Sequence, residues 1–280
     1  MQNKPTIKQL EAIACDRRLD VLEMIYTAGT GHTGGSLSSV DMIVALYYSA
    51  MNVRPDEPDW EERDRFVLSK GHSVEGYYTV LADKGFFPKE ELKTFSRYKS
   101  RLIGHPTRKV PGIEMNTGAL GHGLPVSAGM AIAAKLKNKS YHIYTLMGDG
   151  EQGEGSIYEA AMSAGHYKLD NLTAIIDRNR LQISGDTENV MGLEPLKDKW
   201  EAFRWNVLEC DGNDIGSFLD AIEKANAYKG KPTMIIANTT KGKGISYMEN
   251  VAKWHHGVPS DEQYAQAVAE IKQKIKELGQ

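Results

Sequence analysis

Ile143-Tyr144-Thr145-Leu146-Met147-Gly148-Asp149-Gly150-Glu151 is the stretch from which the architecture can be read. Five apolar or β-forming residues run without a break and stop at two glycines flanking an aspartate. A short continuous apolar run bounded by a glycine turn is the mark of a strand buried on both faces. Twenty-five residues further on the pattern recurs: Leu172 to Ile176 is a second run of this kind, directly followed by Asp177-Arg178-Asn179. Between the two lies a helical stretch, Ile157 to Tyr167, so the unit reads strand–helix–strand.

Working outward, the alternation continues in both directions. Phe66 to Ser69 reads as a strand followed by a helix over Ser73–Asp83, and Leu124–Asn138 reads as another helix. Downstream come a strand at Asn206–Glu209, a helix at Ile215–Tyr228 and a strand at Thr233–Ala237. Upstream, Ile7, Leu10, Ala14, Val21 and Ile25 follow helical spacing over residues 7–28, with Thr6 as a cap. Ser36–Met51 reads as a second helix whose opening serines can satisfy its free amides. Ser260-Asp261 caps a final charged helix that reads as a true end of the chain. No repeat, low-complexity tract or Pro/Ser-rich linker divides the chain. The expected fold is therefore one doubly wound α/β domain over residues 1–280, with a mostly parallel sheet covered by helices on both faces. In such sheets ligands bind beyond the carboxyl ends of the strands.

Composition excludes several classes of function. With 34 basic and 37 acidic residues among 280, the formal charge is −3, and nucleic-acid binding is not expected. Cys15 and Cys210 stand far apart, outside any C-x-x-C, which argues against a disulfide framework or a cysteine zinc site. The first twenty residues hold no signal-like apolar run, and no stretch has the length of a membrane span. The cytoplasm is the expected compartment, with no membrane association.

The chemistry concentrates at the ends of the two strands. Asp149 and Asn179 are one strand–helix–strand unit apart, so a parallel sheet brings them to the same edge. A carboxylate and an amide oxygen are hard ligands suited to Mg²⁺ or Ca²⁺. The glycines beside Asp149 let the backbone approach a diphosphate, and a helix starting near Gly155 could offer it amides. A nicotinamide site is the nearest rival, but neither its G-x-G-x-x-G fingerprint nor a G-x-x-x-x-G-K-[ST] phosphate loop is present.

This Gly-Asp-Gly…Asn pair resembles the thiamine diphosphate motif. The glycine-flanked histidines make the resemblance specific. His32 lies in GTGHTGGSLS, His72 in LSKGHSVEGYY, His105 at the start of GHPTRKVPGIEMNTGALGHG, and His255 follows Trp254, after Lys241-Gly242-Lys243-Gly244. In order and context these segments are similar to those of the transketolase family, whose amino-terminal half the chain matches from about Leu10 to Val268.

The resemblance implies roles for individual residues. Asp149 and Asn179 would hold Mg²⁺ through side-chain oxygens and Leu181 through its carbonyl, with Ca²⁺ or Mn²⁺ able to substitute. Gly150 would give its amide to the diphosphate of thiamine diphosphate. Gly118, Ala119 and Leu120 would lie against the cofactor, and His72, Lys241 and His255 near its diphosphate. His32, His105 and His255 would line the substrate channel, as hydrogen-bond donors and proton shuttles. Glu154 and Glu159 match acids at the family's dimer interface, near the cofactors, although both also suit an ordinary helix start. The chain departs from the family at His122, where Gln is frequent, at Arg178, where a second Asp is frequent, and at His256, which leaves two candidates for the functional histidine.

The family activates thiazolium C2 with a glutamate carried by a second, pyrimidine-binding domain, and no such domain is found in these 280 residues. The resemblance therefore implies the amino-terminal subunit of a split transketolase. It would transfer a two-carbon ketol unit between sugars or sugar phosphates, working with a carboxy-terminal partner subunit, self-associating, and forming an α₂β₂ assembly. Pentose phosphate metabolism is the default setting. Two other readings stay open on the residues alone: the α-type subunit of a thiamine-dependent 2-oxo acid decarboxylase or dehydrogenase, and a non-catalytic scaffold on the same fold.

Overall fold

The computed structural model describes residues 4–279. The chain opens with helices α1 (Ile7–Ala28) and α2 (Thr33–Ala45), then strand β1 (Arg65–Leu68) and helix α3 (Val74–Lys84). A long excursion leads to α4 (Gly123–Leu136), β2 (Ile143–Gly148), α5 (Gly155–His166) and β3 (Leu172–Arg178). Next come a two-residue-per-strand hairpin, β4 (Leu181–Gln182) and β5 (Gly185–Asp186), and short helices α6 (Thr187–Val190) and α7 (Leu196–Ala202). The series closes with β6 (Asn206–Asp211), α8 (Ile215–Ala227), β7 (Thr233–Asn238) and α9 (Asp261–Glu277).

Five strands form one sheet in the order β1-β2-β3-β7-β6, and every pairing in it is parallel. Alternate residues of a strand point to opposite faces, and the core divides accordingly. Tyr144 and Leu146 join a large cluster under α1, α2, α3 and α8, while Ile143 and Met147 of the same strand join a second one under α4, α5 and α7. With helices on both sides, β2 and β3 are buried almost throughout, which is why both read as unbroken apolar runs. Edge strand β6 is only half-buried and carries Glu209 and Asp211. The sheet is the doubly wound one expected.

Both outer helices begin as their sequences foretell. Thr6 and Gln9 form a reciprocal capping box on α1, and Ser260 and Gln263 form another on α9. Helix α2 differs. It starts at Thr33, so Ser36, Ser38 and Ser39 lie inside the helix rather than at its cap. Their hydroxyls donate to Glu75, to Asp177 and to the Gly35 carbonyl. Strand β3 runs two residues beyond its apolar stretch, which places Asp177 and Arg178 within the sheet. Both are buried, and polar partners on α2, on α6 and in the loops after β1 and β7 replace the apolar environment that their composition lacks. Among the described residues no helix is long and apolar enough to cross a membrane.

Candidate active site

Register sets the site. Gly148, the last residue of β2, pairs with Asp177 of β3, and Arg178 pairs with Asn238 of β7. Asp149 and Asn179 therefore leave the sheet side by side. Asp149 Oδ1 accepts from the Gly150 N–H at 2.7 Å, and Oδ2 accepts from the Arg180 N–H at 2.5 Å. Asn179 Oδ1 accepts from the Leu181 N–H at 3.1 Å. Arg180 adopts φ = +66°, a left-handed residue at the turn into β4, and Leu181 after it also lines the cleft. Burial, followed by the nearby Asp177 charge, pushes the Asp149 carboxyl up, against the pull of its donors and Arg178.

Around this pair lies a cleft of about 330 Å³ lined by residues from seven segments. Lys70 follows β1 and is almost wholly buried. Its ammonium donates to Asp177 and, at 3.0 Å, to the Gly35 carbonyl. Burial raises the Asp177 carboxyl, but Lys70, Ser38 and Thr239 outweigh it and hold the group below the usual carboxylate range. Glu151 is a second anchor: its carboxylate accepts from Ser69, from the Gly121 N–H at 2.8 Å and from the Gly148 N–H at 3.0 Å. Glu75 is a third, accepting from the His32 N–H at 2.8 Å and from the Ser36 hydroxyl at 2.7 Å. Three buried carboxylates thus tie the loops that carry the candidate ligands to the ends of the strands.

Five histidines converge at one side. The ring of His32 lies 5.3 Å from His72, 6.2 Å from His105, 5.9 Å from His255 and 4.7 Å from His256, and His72 stacks on His255 at 5.1 Å. Burial and the neighbouring imidazoles and lysines lower His32 to about 4, and burial with Lys241 lowers His255 to about 3. His72 is held well below its ordinary value by burial and Lys70, and His105 is lowered by burial. Desolvation thus disfavours the charged form of His32, His72, His105 and His255, which suits these rings to hydrogen bonding as neutral imidazoles. Lys241 is lowered to about 8, by burial and then by Lys70. Its ammonium donates to the Leu181 carbonyl at 3.2 Å and lies 3.1 Å from His255 Nδ1. Since an ammonium can only donate, Nδ1 of His255 is the acceptor and Nε2 carries the proton.

The donor set suits a hard divalent cation bound together with a diphosphate. Among the described residues no group of three or more His, Cys, Asp or Glu forms a metal cluster. The candidate oxygens of Asp149, Asn179 and Leu181 are one carboxylate, one amide and one carbonyl, which leaves coordination positions for phosphate or water oxygens. A Cβ on Gly150 would fall 2.8 Å from the Gln182 side chain, so glycine at this position lets Gln182 of β4 pack directly on the turn.

Residues 9–277 match the family model described as transketolase, thiamine diphosphate binding domain. The chain belongs to the transketolase family. It is 54% identical over 272 residues to an apulose-4-phosphate transketolase subunit of Phocaeicola vulgatus, covering 97% of each chain. It is 45% identical over 254 residues to a 6-deoxy-6-sulfo-D-fructose transketolase subunit of a Clostridium species, covering 90% of this chain and 92% of that one. The solved transketolase from Leishmania mexicana superposes with a TM-score of 0.87 at 30% identity, over 99% of this chain and 45% of the other. Transketolases transfer a two-carbon ketol unit with thiamine diphosphate, the activity the sequence motifs implied. Membership of this family also favours that reading over the 2-oxo acid and scaffold alternatives.

Within this transketolase chain, His32, His72, Gly118, Leu120, Asp149, Gly150, Asn179, Leu181, Lys241 and His255 all line the cleft. His105 stands behind Gly118, where φ is +136° and a Cβ would come within 2.7 Å of the imidazole. Ala119 is outside the cleft lining, as are Glu154 and Glu159 on the outer side of α5. The amino end of α5 is not in the lining either, because the one-turn helix Gly150–Gly153 stands between it and the cleft. Sequence reasoning missed Gln182, Ile183 and Ser184, and named Gly35, Lys70, Gly148 and Glu151 only as parts of motifs. Lys70 precedes Gly71-His72 directly, and that adjacency was the available signal. Nothing in the pattern marks the hairpin residues 182–184.

Proposed function

We propose that this chain is the cofactor-binding subunit of a two-chain transketolase, holding thiamine diphosphate through Mg²⁺. The observation that carries the reading is the convergence of Asp149, Asn179 and the Leu181 carbonyl with His32, His72, His255 and Lys241 in one cleft at the carboxyl ends of the strands. When bound, thiamine diphosphate supplies the carbon nucleophile that accepts the ketol unit. The protein's part is placement. Asp149 and Asn179 offer oxygens to the metal, and the Gly150 turn allows phosphate oxygens to approach. Lys241 brings a positive charge to the same wall. Its hydrogen bond fixes the ring of His255 so that Nε2–H is free to donate. His32, anchored through its backbone by Glu75, and His105, packed behind Gly118, present neutral imidazoles to sugar hydroxyls. Glu154, at the N-cap of α5, and Glu159, exposed in its second turn, belong to a contact between two copies of this chain.

A carboxy-terminal partner would supply the pyrimidine-binding domain and its activating glutamate. Support comes from the relatives named as subunits, which this chain matches nearly end to end, whereas it spans 45% of the full-length enzyme from Leishmania mexicana. Together with the contact between two copies of this chain, this division would give an α₂β₂ complex. The same names turn the expected donor from ordinary pentose phosphates toward an unusual ketose with an anionic group at its far end.

Reconstitution tests this. The chain, its partner, thiamine diphosphate and Mg²⁺ are incubated with pairs of ketoses and aldoses that include pentose phosphates, a branched ketose phosphate and a sulfonated ketose. Products shortened and lengthened by two carbons are expected. Cofactor binding without transfer on any pair, or turnover of 2-oxo acids instead, would overturn the proposal.

A further inference from the structure

Arg178 is a buried cation that the reading above does not use, and it stands where the family resemblance implies an acid. Its side chain is 1% exposed at the end of β3. One nitrogen, Nη1, donates to the Thr187 hydroxyl at 2.7 Å and reaches Asp149 Oδ2 at 3.4 Å. The other, Nη2, donates to Glu188 Oε1 at 2.9 Å and to Glu194 Oε1 at 3.0 Å. These partners organise the whole segment from α6 to the start of α7. The Glu188 carboxylate accepts the N–H of Leu193 at 3.1 Å and of Glu194 at 3.3 Å, and Glu194 Oε2 accepts the N–H of Leu196 at 2.9 Å. The Thr187 N–H donates to the carbonyl of Arg180, whose own N–H holds Asp149 Oδ2.

We infer that Arg178 is a positioning residue that clamps segment 187–194 to the Asp149 side of the cleft, so that the order of this segment and metal-dependent cofactor binding are linked. The inference rests on the assignment of Asp149 as a metal ligand. The planar guanidinium is suited to the task because it addresses four oxygens from one fixed fork, which a lysine ammonium on a flexible stem would not reproduce. Its charge is set between Asp149 on the inside and two half-exposed glutamates on the outside. The clamp therefore does not leave an unbalanced cation beside the metal ligand.

Two variants separate positioning from simple charge. Glu188→Gln with Glu194→Gln releases the segment from its surface end and leaves Arg178 less compensated beside Asp149. Arg178→Met removes the clamp and also removes the positive charge, so charge alone would make metal binding tighter. Each is assembled with the carboxy-terminal partner. Hydrogen exchange is followed at residues 187–196, and thiamine diphosphate binding is titrated against Mg²⁺. Both variants are expected to speed exchange in that segment selectively. Both should also raise the Mg²⁺ concentration needed for half-saturation, by roughly tenfold, the lower end for loss of an outer-shell partner. Arg178→Lys should recover only part of either effect. Tighter or unchanged Mg²⁺ dependence in Arg178→Met overturns the inference, as does a loosened segment with unaltered Mg²⁺ dependence in the double glutamine variant. If Arg178→Met does not fold, Thr187→Val, which removes one partner of Nη1 without changing any charge, decides the matter: unchanged exchange and Mg²⁺ dependence would overturn the inference. Wild-type complex that binds no thiamine diphosphate with Mg²⁺ would overturn the functional reading and the linkage together, while the exchange data would still judge the clamp.

Discussion

Lys70→Met removes one half of an ion pair whose side chains are 1% and 0% exposed. Asp177 would remain buried at the centre of the sheet, with Ser38 and Thr239 as its remaining side-chain donors. Breaking a buried pair from one side costs about 3–5 kcal/mol, and the two surviving hydroxyl donors argue for the lower end. At about 2.1 cal/mol/K per residue, a chain of 280 residues has an unfolding entropy near 0.6 kcal/mol/K, so ~3 kcal/mol becomes a fall of about 5 °C in Tm. Thermal and urea unfolding followed by circular dichroism measure this directly. Adding Asp177→Asn to Lys70→Met removes the stranded charge and should return most of the loss. A shift under about 1 °C for the single variant, or a double variant no more stable than the single, would refute the claim that the pair anchors the ends of β1 and β3.

Three further outcomes are expected. Asp149→Ala should weaken Mg²⁺-dependent thiamine diphosphate binding by orders of magnitude while the fold persists, and calorimetry on the assembled complex checks it; unchanged affinity would remove the basis of the metal assignment. Gly118→Ala pushes a methyl to 2.7 Å from His105, so ketol transfer should fall roughly ten- to a hundredfold with cofactor binding less affected, as steady-state kinetics beside a binding titration will show. Acid should destabilise the chain below the ordinary histidine range. His142 is lowered to about 4, by burial and then by Lys229, and His32 is lowered to about 4 as well. Below pH 6.5 the unfolded state then binds more protons than the folded one. The stability is thus full above pH 6.5 and is lost as pH falls toward 4, with at most about 1.4 kcal/mol per pH unit coming from His142. Urea unfolding at pH 7.5, 6 and 5 should show this slope, and His142→Gln should flatten it.

The parallel sheet was legible because β2 and β3 are buried on both faces, so that their apolar runs are uninterrupted. The placement of Asp149 and Asn179 followed from strand ends at one edge, which topology alone fixes. The polar continuation of β3 through Asp177 and Arg178 was not legible, since its burial depends on Lys70 and Ser38 from remote parts of the chain. The serines of α2 were misread for the same reason: Glu75 and Asp177 receive them across 39 and 139 positions of sequence. His32, His72 and His105 were found by their glycine neighbours and His255 by Trp254. Their lowered pKa values come first from desolvation and then, for all but His105, from neighbouring imidazoles and lysines, which no local pattern records. The clamp at Arg178 could be noticed only as a departure from the family, because its partners lie on a segment with no regular periodicity.

The central claim is that this chain holds the cofactor while a partner chain activates it. Hydrogen–deuterium exchange at thiazolium C2 of thiamine diphosphate tests it most directly, measured at saturating Mg²⁺ with the chain alone and after adding the carboxy-terminal partner. The account predicts exchange near the uncatalysed rate on the isolated chain and fast exchange that grows in proportion to the complex formed. Fast exchange on the isolated chain would contradict it, because the activating acid would then lie within these 280 residues.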